Sequence, residues 1–402
     1  MENEDKKLPK KKVHYIIGVA LGVVVLVWAS GFFNLFGHNS NENTYSHNGH
    51  HHGYDHTYSH SHIHEHGNSH DYGHSYHHNH DHHLYEFFIP GENGHINIYS
   101  SRHFLADEYV FSQFTQQTGI GINVIMAHGN QVVERLRIQG STTEADLIIA
   151  DDGGVLSSAK AQGLIMPITS DILSQNVGEG FKDSDNYWHG LSFRARALAM
   201  LQPYQFTTYQ DLYSDEASVL LRPGNHLYNV SLLASLIEIY GFDTALQWAN
   251  DINLNRARSP QGNDRDQMNA LVAGIGNVAL INSYYVGLMI NSHNLQEVLV
   301  GENIYIVFPN QYTTGTHINI SGMAIPTYSS NVEGALAFME FITSTEMQTL
   351  LANENYEFPV NPNATVHPMF YDMVPFDIQE IDFTSFYQNH IQAIHIMNIV
   401  GW

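Results

Sequence analysis

Seventeen of the 47 residues from position 37 to 83 are histidine, interspersed with Gly, Ser, Asn, Asp and Tyr. Neutral imidazole is the commonest protein metal ligand, so a tract this dense has the chemistry to collect metal ions. It suits Zn(II), Ni(II) or Cu(II), and its binding fails in mild acid as the imidazoles protonate near a pKa of about 6.5. The tract carries no hydrophobic period and reads as a flexible linker, spanning about 5–6 Å × √n for n residues.

A second group is Asn282-Ser283-Tyr284-Tyr285, directly after the apolar run Val278-Ala279-Leu280-Ile281. In α/β sheets ligands collect beyond the C-terminal ends of strands. Adjacent phenols there can both turn into a cleft, where a bound trivalent cation would deprotonate them. Aromatic packing at a helix start is the other reading of the same pair. His103 also follows an apolar run, residues 96–100, although a lone loop histidine equally suits a surface. Arg102 beside it can pair with an acid or hold an anion next to a metal. Asp151 and Asp152, after ADLIIA, offer either metal carboxylates or helix-start acids.

The elements that must position these residues alternate. Strand signals at 96–100, 120–126 and 145–150 are followed by helix signals at 107–118, 131–139 and 154–162. Such an opening predicts a mainly parallel sheet covered by helices. Later strands are expected at 219–222, 278–282, 304–308 and 317–324. The segment from 92 to 402 exceeds one comfortable α/β core, which predicts two lobes with a cleft.

Composition narrows the function. There is no cysteine, so disulfides, thiolate metal sites and a lipid-modified N-terminal cysteine are excluded. Five of the 16 basic residues lie before position 13, leaving 11 basic against 37 acidic residues beyond it. A body this acidic lacks the basic footprint that nucleic acid requires, and favours a cation as partner. Catalytic templates are missing too: His64-Glu65 runs into His66-Gly67-Asn68, not H-E-x-x-H, and neither G-x-S-x-G nor a phosphate-binding loop occurs. An enzyme is not expected.

Residues 13–36 are apolar and long enough to span a bilayer, with Lys6, Lys7, Lys10, Lys11 and Lys12 on one flank. The expected order is a cytoplasmic basic tail (1–12), a single-pass inner-membrane anchor (13–36), the His-rich linker (37–90) and a periplasmic or extracytoplasmic domain (91–402). A cleaved signal peptide ending near Ala29-Ser30-Gly31 is the rival reading.

Beyond residue 92 the chain resembles the ferric-ion-binding substrate-binding proteins of ABC importers. The segments that carry the resemblance are NIYSSRHF (97–104), ADLIIADDGG (145–154), YWHGLSFRARALA (187–199) and LRPGNHLYNVSLLAS (221–235). They continue with ARSPQGNDRDQ (257–267), NVALINSYYVGLM (277–289), FPNQ (308–311), GTHINISGMAI (315–325), NYEFPVNP (355–362) and the ending AIHIMNIVGW (393–402). The resemblance implies an α/β, two-lobed, type II periplasmic-binding-protein clamshell. Lobe 1 would comprise 92–193 and 312–345, and lobe 2 would comprise 194–311 with the C-terminal helices. It implies Fe(III) as cargo, held by His103, Tyr284 and Tyr285. A synergistic anion such as carbonate can accompany the metal, and the receptor is expected to be a monomer serving an ABC permease and its ATPase.

Two positions depart from the family pattern. Phe104 stands where five-ligand members have tyrosine, and Met200 ends the RARxxxY run without its tyrosine. Phenylalanine cannot ligate, and a thioether suits Cu(I) better than Fe(III). Arg102, Asp152 and Tyr204 are the expected supporting or anion-holding groups. The depleted set and the His tract leave open a buffer, sensor or receptor for zinc, ferrous iron or manganese. The loop 261–267 is expected to be architectural, and His317 with Asn319 to sit on a strand crossing between lobes.

Overall fold

The computed structural model describes residues 86–402 except His103 and His128, and only the backbone of Glu86, Thr384 and Ser385. The expected anchor 13–36 and His tract lie outside the described residues. Among the described residues no helix is long and apolar enough to cross a membrane.

The order begins β1 (Glu86–Ile89), β2 (His95–Ser100), α1 (Leu105–Thr118), β3 (Gly121–Met126), α2 (Gln131–Gln139), β4 (Leu147–Ala150) and α3 (Gly153–Ala161). Short β5 (Ile165–Met166) and α4 (Asp171–Asn176) lead to the long β6 (His189–Met200). Next come β7 (Val219–Leu220), α5 (Leu227–Tyr240), α6 (Phe242–Leu254), α7 (Asp264–Val272), β8 (Val278–Asn282) and α8 (Tyr284–Ile290). Then α9 (Leu295–Glu302) and β9 (Tyr305–Val307) precede β10 (Ile318–Pro326), α10 (Val332–Ile342), α11 (Thr345–Asn355), β11 (Phe358–Pro359) and α12 (Phe383–Val400).

The expected parallel core is present: β2 pairs in parallel with both β3 and β4. The sheet as a whole is mixed, in the order β1-β3-β2-β4-β10-β6-β8-β7. Strand β10 runs antiparallel to β4 at one end and to β6 along its length, while the far half of β6 pairs with β8. These two long strands therefore cross between two lobes. One core gathers Ile96, Ile98, Phe114, Leu147 and Phe338, and the other gathers Leu198, Leu233, Trp248 and Leu280. The arrangement is the two-lobed α/β clamshell of type II binding proteins.

Three expected boundaries move. Residues 86–89 are strand β1, antiparallel to β3, so the folded part starts within the expected linker. Phe87 and Ile89 pack toward the core while Phe88 between them is exposed, the alternation of a half-buried strand. The return to lobe 1 runs past residue 345, because Met347 and Leu351 of α11 belong to its core and β11 pairs with β6. Helix α12 packs on α3 of lobe 1 as well as on α5 and α6 of lobe 2, so it bridges the lobes.

Candidate metal centre

Strand β8 is apolar and fully buried, and it delivers its last residues to the crossing strand β6. The Ser283 N–H donates to the Ala195 carbonyl at 2.9 Å, and the Ala195 N–H donates to Ser283 Oγ at 3.3 Å. Asp264, at the start of α7, accepts from the Asn282 N–H at 3.0 Å. Tyr284 and Tyr285 are thus the first two residues of α8, fixed on a clamped turn. Their ring centroids lie 4.2 Å apart. Gly287, one turn on, lets the Tyr356 ring approach so closely that a Cβ would sit 2.3 Å from it.

A third phenol joins them. Tyr228, near the start of α5, brings its hydroxyl to 3.4 Å from that of Tyr284. All three tyrosines belong to lobe 2. Burial raises both: Tyr228 up to about 12, against the lowering influence of Arg194, and Tyr284 well above the ordinary phenol value, where the Tyr228 and Tyr285 phenols add to the rise. Two buried neutral phenols can satisfy each other with one hydrogen bond, and a cation binding there must displace their protons. Among the described residues no group of three or more His, Asp or Glu side chains is arranged to hold a metal.

Positive charge surrounds the phenols. Alternation along β6 puts Arg194 and Arg196 on one face, both buried. The guanidinium carbons of Arg194 and Arg222 each lie 5.4 Å from the Tyr228 ring centroid. Arg222 is paired with Asp264 at 3.2 Å and also faces the Tyr285 phenol. Arg194 donates to the Asp151 carbonyl and to Glu357 at 3.0 Å.

From lobe 1, Phe104 meets Tyr284 edge-on, with centroids 5.9 Å apart. Arg102 packs over the other side of this contact, 4.5 Å from the Phe104 centroid. Its guanidinium is already committed: Nε pairs with Asp107 at 2.9 Å and Nη1 with Glu357 at 2.6 Å. Of the two roles open to Arg102, the structure shows the pairing with acids. It fixes the backbone on one side of position 103, and His103 itself lies outside the described residues.

Asp152 is not a free carboxylate. It is the N-cap of α3, accepting from the Gly154 N–H at 2.8 Å, while its other oxygen accepts from Asn319 at 2.8 Å. Asp151 is the half-buried neighbour, bonded by Ser101 Oγ at 2.8 Å and raised in pKa by burial. Tyr204 is 77% exposed on a turn with positive φ and is not brought to the phenol cluster. Met200 lies in the lobe 2 core with Phe206, at the far end of β6. The position expected to have lost a ligand is thus buried in that core, whereas Tyr228 is the phenol that meets Tyr284. The loop before α7 is architectural as expected, with Asn263 and Asp266 forming a reciprocal capping box. His317 and Asn319 are buried at the lobe crossing.

Sequence reading missed Tyr228, although it lies inside the segment 221–235. The available signal was its position two residues after a polar N-cap and just ahead of an apolar helix, the same setting as Tyr284-Tyr285.

Comparison with known proteins agrees with the fold. Residues 104–349 match the family described as bacterial extracellular solute-binding protein. Iron uptake protein A1 of Synechocystis is 34% identical over 78% of this chain and 89% of its own length. The ferric binding protein from Campylobacter jejuni has a TM-score of 0.72 at 36% identity, covering 76% of this chain and 99% of its own. A Trichodesmium protein solved in complex with iron and citrate has a TM-score of 0.73 at 34% identity, covering 77% of this chain and 100% of its own. The chain belongs to the bacterial extracellular solute-binding proteins, in the branch that contains the ferric-ion-binding proteins of ABC importers.

Proposed function

We propose that the cleft captures ferric iron through Tyr228, Tyr284 and Tyr285, with His103 added from the opposite lobe, and that the chain delivers it to an ABC permease and its ATPase. The observation that carries this is the convergence of three phenols, two of them with hydroxyls 3.4 Å apart. Phenolate is a hard anionic oxygen donor, and three of them balance the charge of Fe(III). The named relatives include iron uptake and ferric-binding proteins, which supports the same cargo.

The tyrosines are preassembled on lobe 2, so iron binds there first and His103 closes lobe 1 onto it. A ligand shifts the open–closed balance only by its differential affinity, which makes the His103 bond the one that drives closure. Remaining coordination falls to water or to an anion such as carbonate. The Nε atoms of Arg194 and Arg222 are buried without a protein partner, and they suit such an anion better than the committed Arg102.

Residues 13–36 act as a single-pass inner-membrane anchor, with the domain held as a monomer outside the cytoplasm. The His tract favours a second, divalent cargo such as Zn(II), held loosely on the tether. Loading the full chain with ferric citrate tests the reading. A visible phenolate-to-iron band that disappears in Y284F/Y285F is expected, while a colourless protein binding only zinc would overturn it.

A further inference from the structure

The cap of α5 is an unusual one. Its N-cap residue is His226, in extended conformation (φ −71, ψ 136), and the imidazole Nδ1 accepts the Tyr228 N–H at 3.2 Å. The same residue's carbonyl accepts the N–H groups of Asn229 at 2.9 Å and Val230 at 3.1 Å. Its own N–H donates to the Pro223 carbonyl at 3.1 Å, which ties the cap to the loop after β7. His226 therefore holds the backbone on both sides of Tyr228.

The ring does more than cap. It meets the Tyr228 ring in a T-shaped contact, with centroids 4.7 Å apart and planes at 68°. Arg194 and Arg222 also flank that phenol ring, each at 5.4 Å. Accepting at Nδ1 places the imidazole proton on Nε2, and burial together with Arg222, Arg196 and Arg194 keeps the ring neutral, its pKa pushed down to about 3.

From this geometry we propose that His226 is the positioning residue for Tyr228, capping α5 at the phenol's own N–H and packing against its ring so that the hydroxyl meets Tyr284. The inference rests on the reading of Tyr228 as an iron ligand. It assigns to a non-ligand the task of keeping the third phenolate in place. Asn is among the best N-cap residues, because its side-chain oxygen accepts the same backbone donor, whereas Ala cannot.

The test uses the full chain, loaded from ferric citrate, with citrate competition for affinity and the visible phenolate-to-iron band for ligation. Loss of an N-cap corresponds to roughly twofold to thirtyfold in a coupled equilibrium. His226→Ala is expected to weaken ferric binding by that factor and to diminish the band. His226→Asn is expected to restore most of both, with the apo melting temperature of each variant measured to separate positioning from general damage. Tyr228→Phe is the control and is expected to weaken binding more than either. An unchanged Tyr228→Phe would overturn the ligand reading and this inference with it. If Tyr228→Phe weakens binding but His226→Ala does not, or if His226→Asn falls as far as His226→Ala, the positioning role alone is overturned.

Discussion

The hydroxyls of Tyr228 and Tyr284 lie 3.4 Å apart although the residues are 56 positions apart in the chain. Each begins its path on a different helix start, and each phenol is held protonated by burial. The pair is joined by one hydrogen bond, and on the proposed reading it exchanges its protons for a cation. From the opposite lobe Phe104, the residue after the proposed ligand His103, packs edge-on against Tyr284 and offers no donor of its own.

That edge gives the first prediction. Phe104→Tyr places a phenol next to Tyr284 from lobe 1, adding a ligand that also crosses the cleft. Ferric affinity by citrate competition is expected to rise at least about tenfold, equivalent to about 1.4 kcal/mol. Unchanged affinity and an unchanged visible band would mean that position 104 cannot reach the metal.

A buried charge network links the two sides of the site. Glu357 accepts from Arg102 at 2.6 Å and from Arg194 at 3.0 Å, with Ser192 Oγ adding a third bond at 2.9 Å. Burial alone would raise this carboxyl, but the two arginines outweigh it and hold the pKa below the ordinary value. Glu357→Gln removes the shared negative charge and leaves two buried cations facing a neutral amide. A stability loss on the order of 3 kcal/mol is expected, read as a lower urea midpoint of the apo protein. A midpoint equal to wild type would show that the network contributes little.

Acid sensitivity is expected at the lobe crossing. His317 is fully buried on entry to β10, with Nε2 against Ser231 Oγ at 3.1 Å. Burial, then the charges of Arg196 and His390, lowers its pKa to about 3. Unfolded histidine titrates near 6.5, so between that pH and about 3 the unfolded chain binds a proton that the folded one refuses. Stability falls as pH falls through this window, by up to about 1.4 kcal/mol per pH unit for this group. His317→Asn is expected to show a shallower decline in melting temperature from pH 6.5 to 4.5 than wild type. Parallel declines would remove His317 from the account.

Much of this site was legible in the sequence, for identifiable reasons. The run Val278–Asn282 is uniformly apolar up to its last residue and buried on both faces, so its end and the two tyrosines after it follow from residue types alone. The strands ahead of positions 103 and 151 were equally plain. Tyr228 was not, although the strand before it was expected, because its approach to Tyr284 joins residues 56 positions apart that no local pattern connects. Met200 misled for the opposite reason. A motif position was read as a cleft position, whereas the length of β6 carries residue 200 out of the crossing and into the lobe 2 core. The commitments of Arg102 and Asp152 depend on Glu357 and Asn319, partners more than 160 residues away that no local pattern reveals.

The most direct measurement is a crystal structure of the iron-loaded full chain, with the metal located by anomalous scattering at the iron edge. One iron is expected in the cleft, bonded to the phenolate oxygens of Tyr228, Tyr284 and Tyr285. An iron bound elsewhere, with the Tyr228 and Tyr284 hydroxyls still bonded to each other, would contradict that expectation.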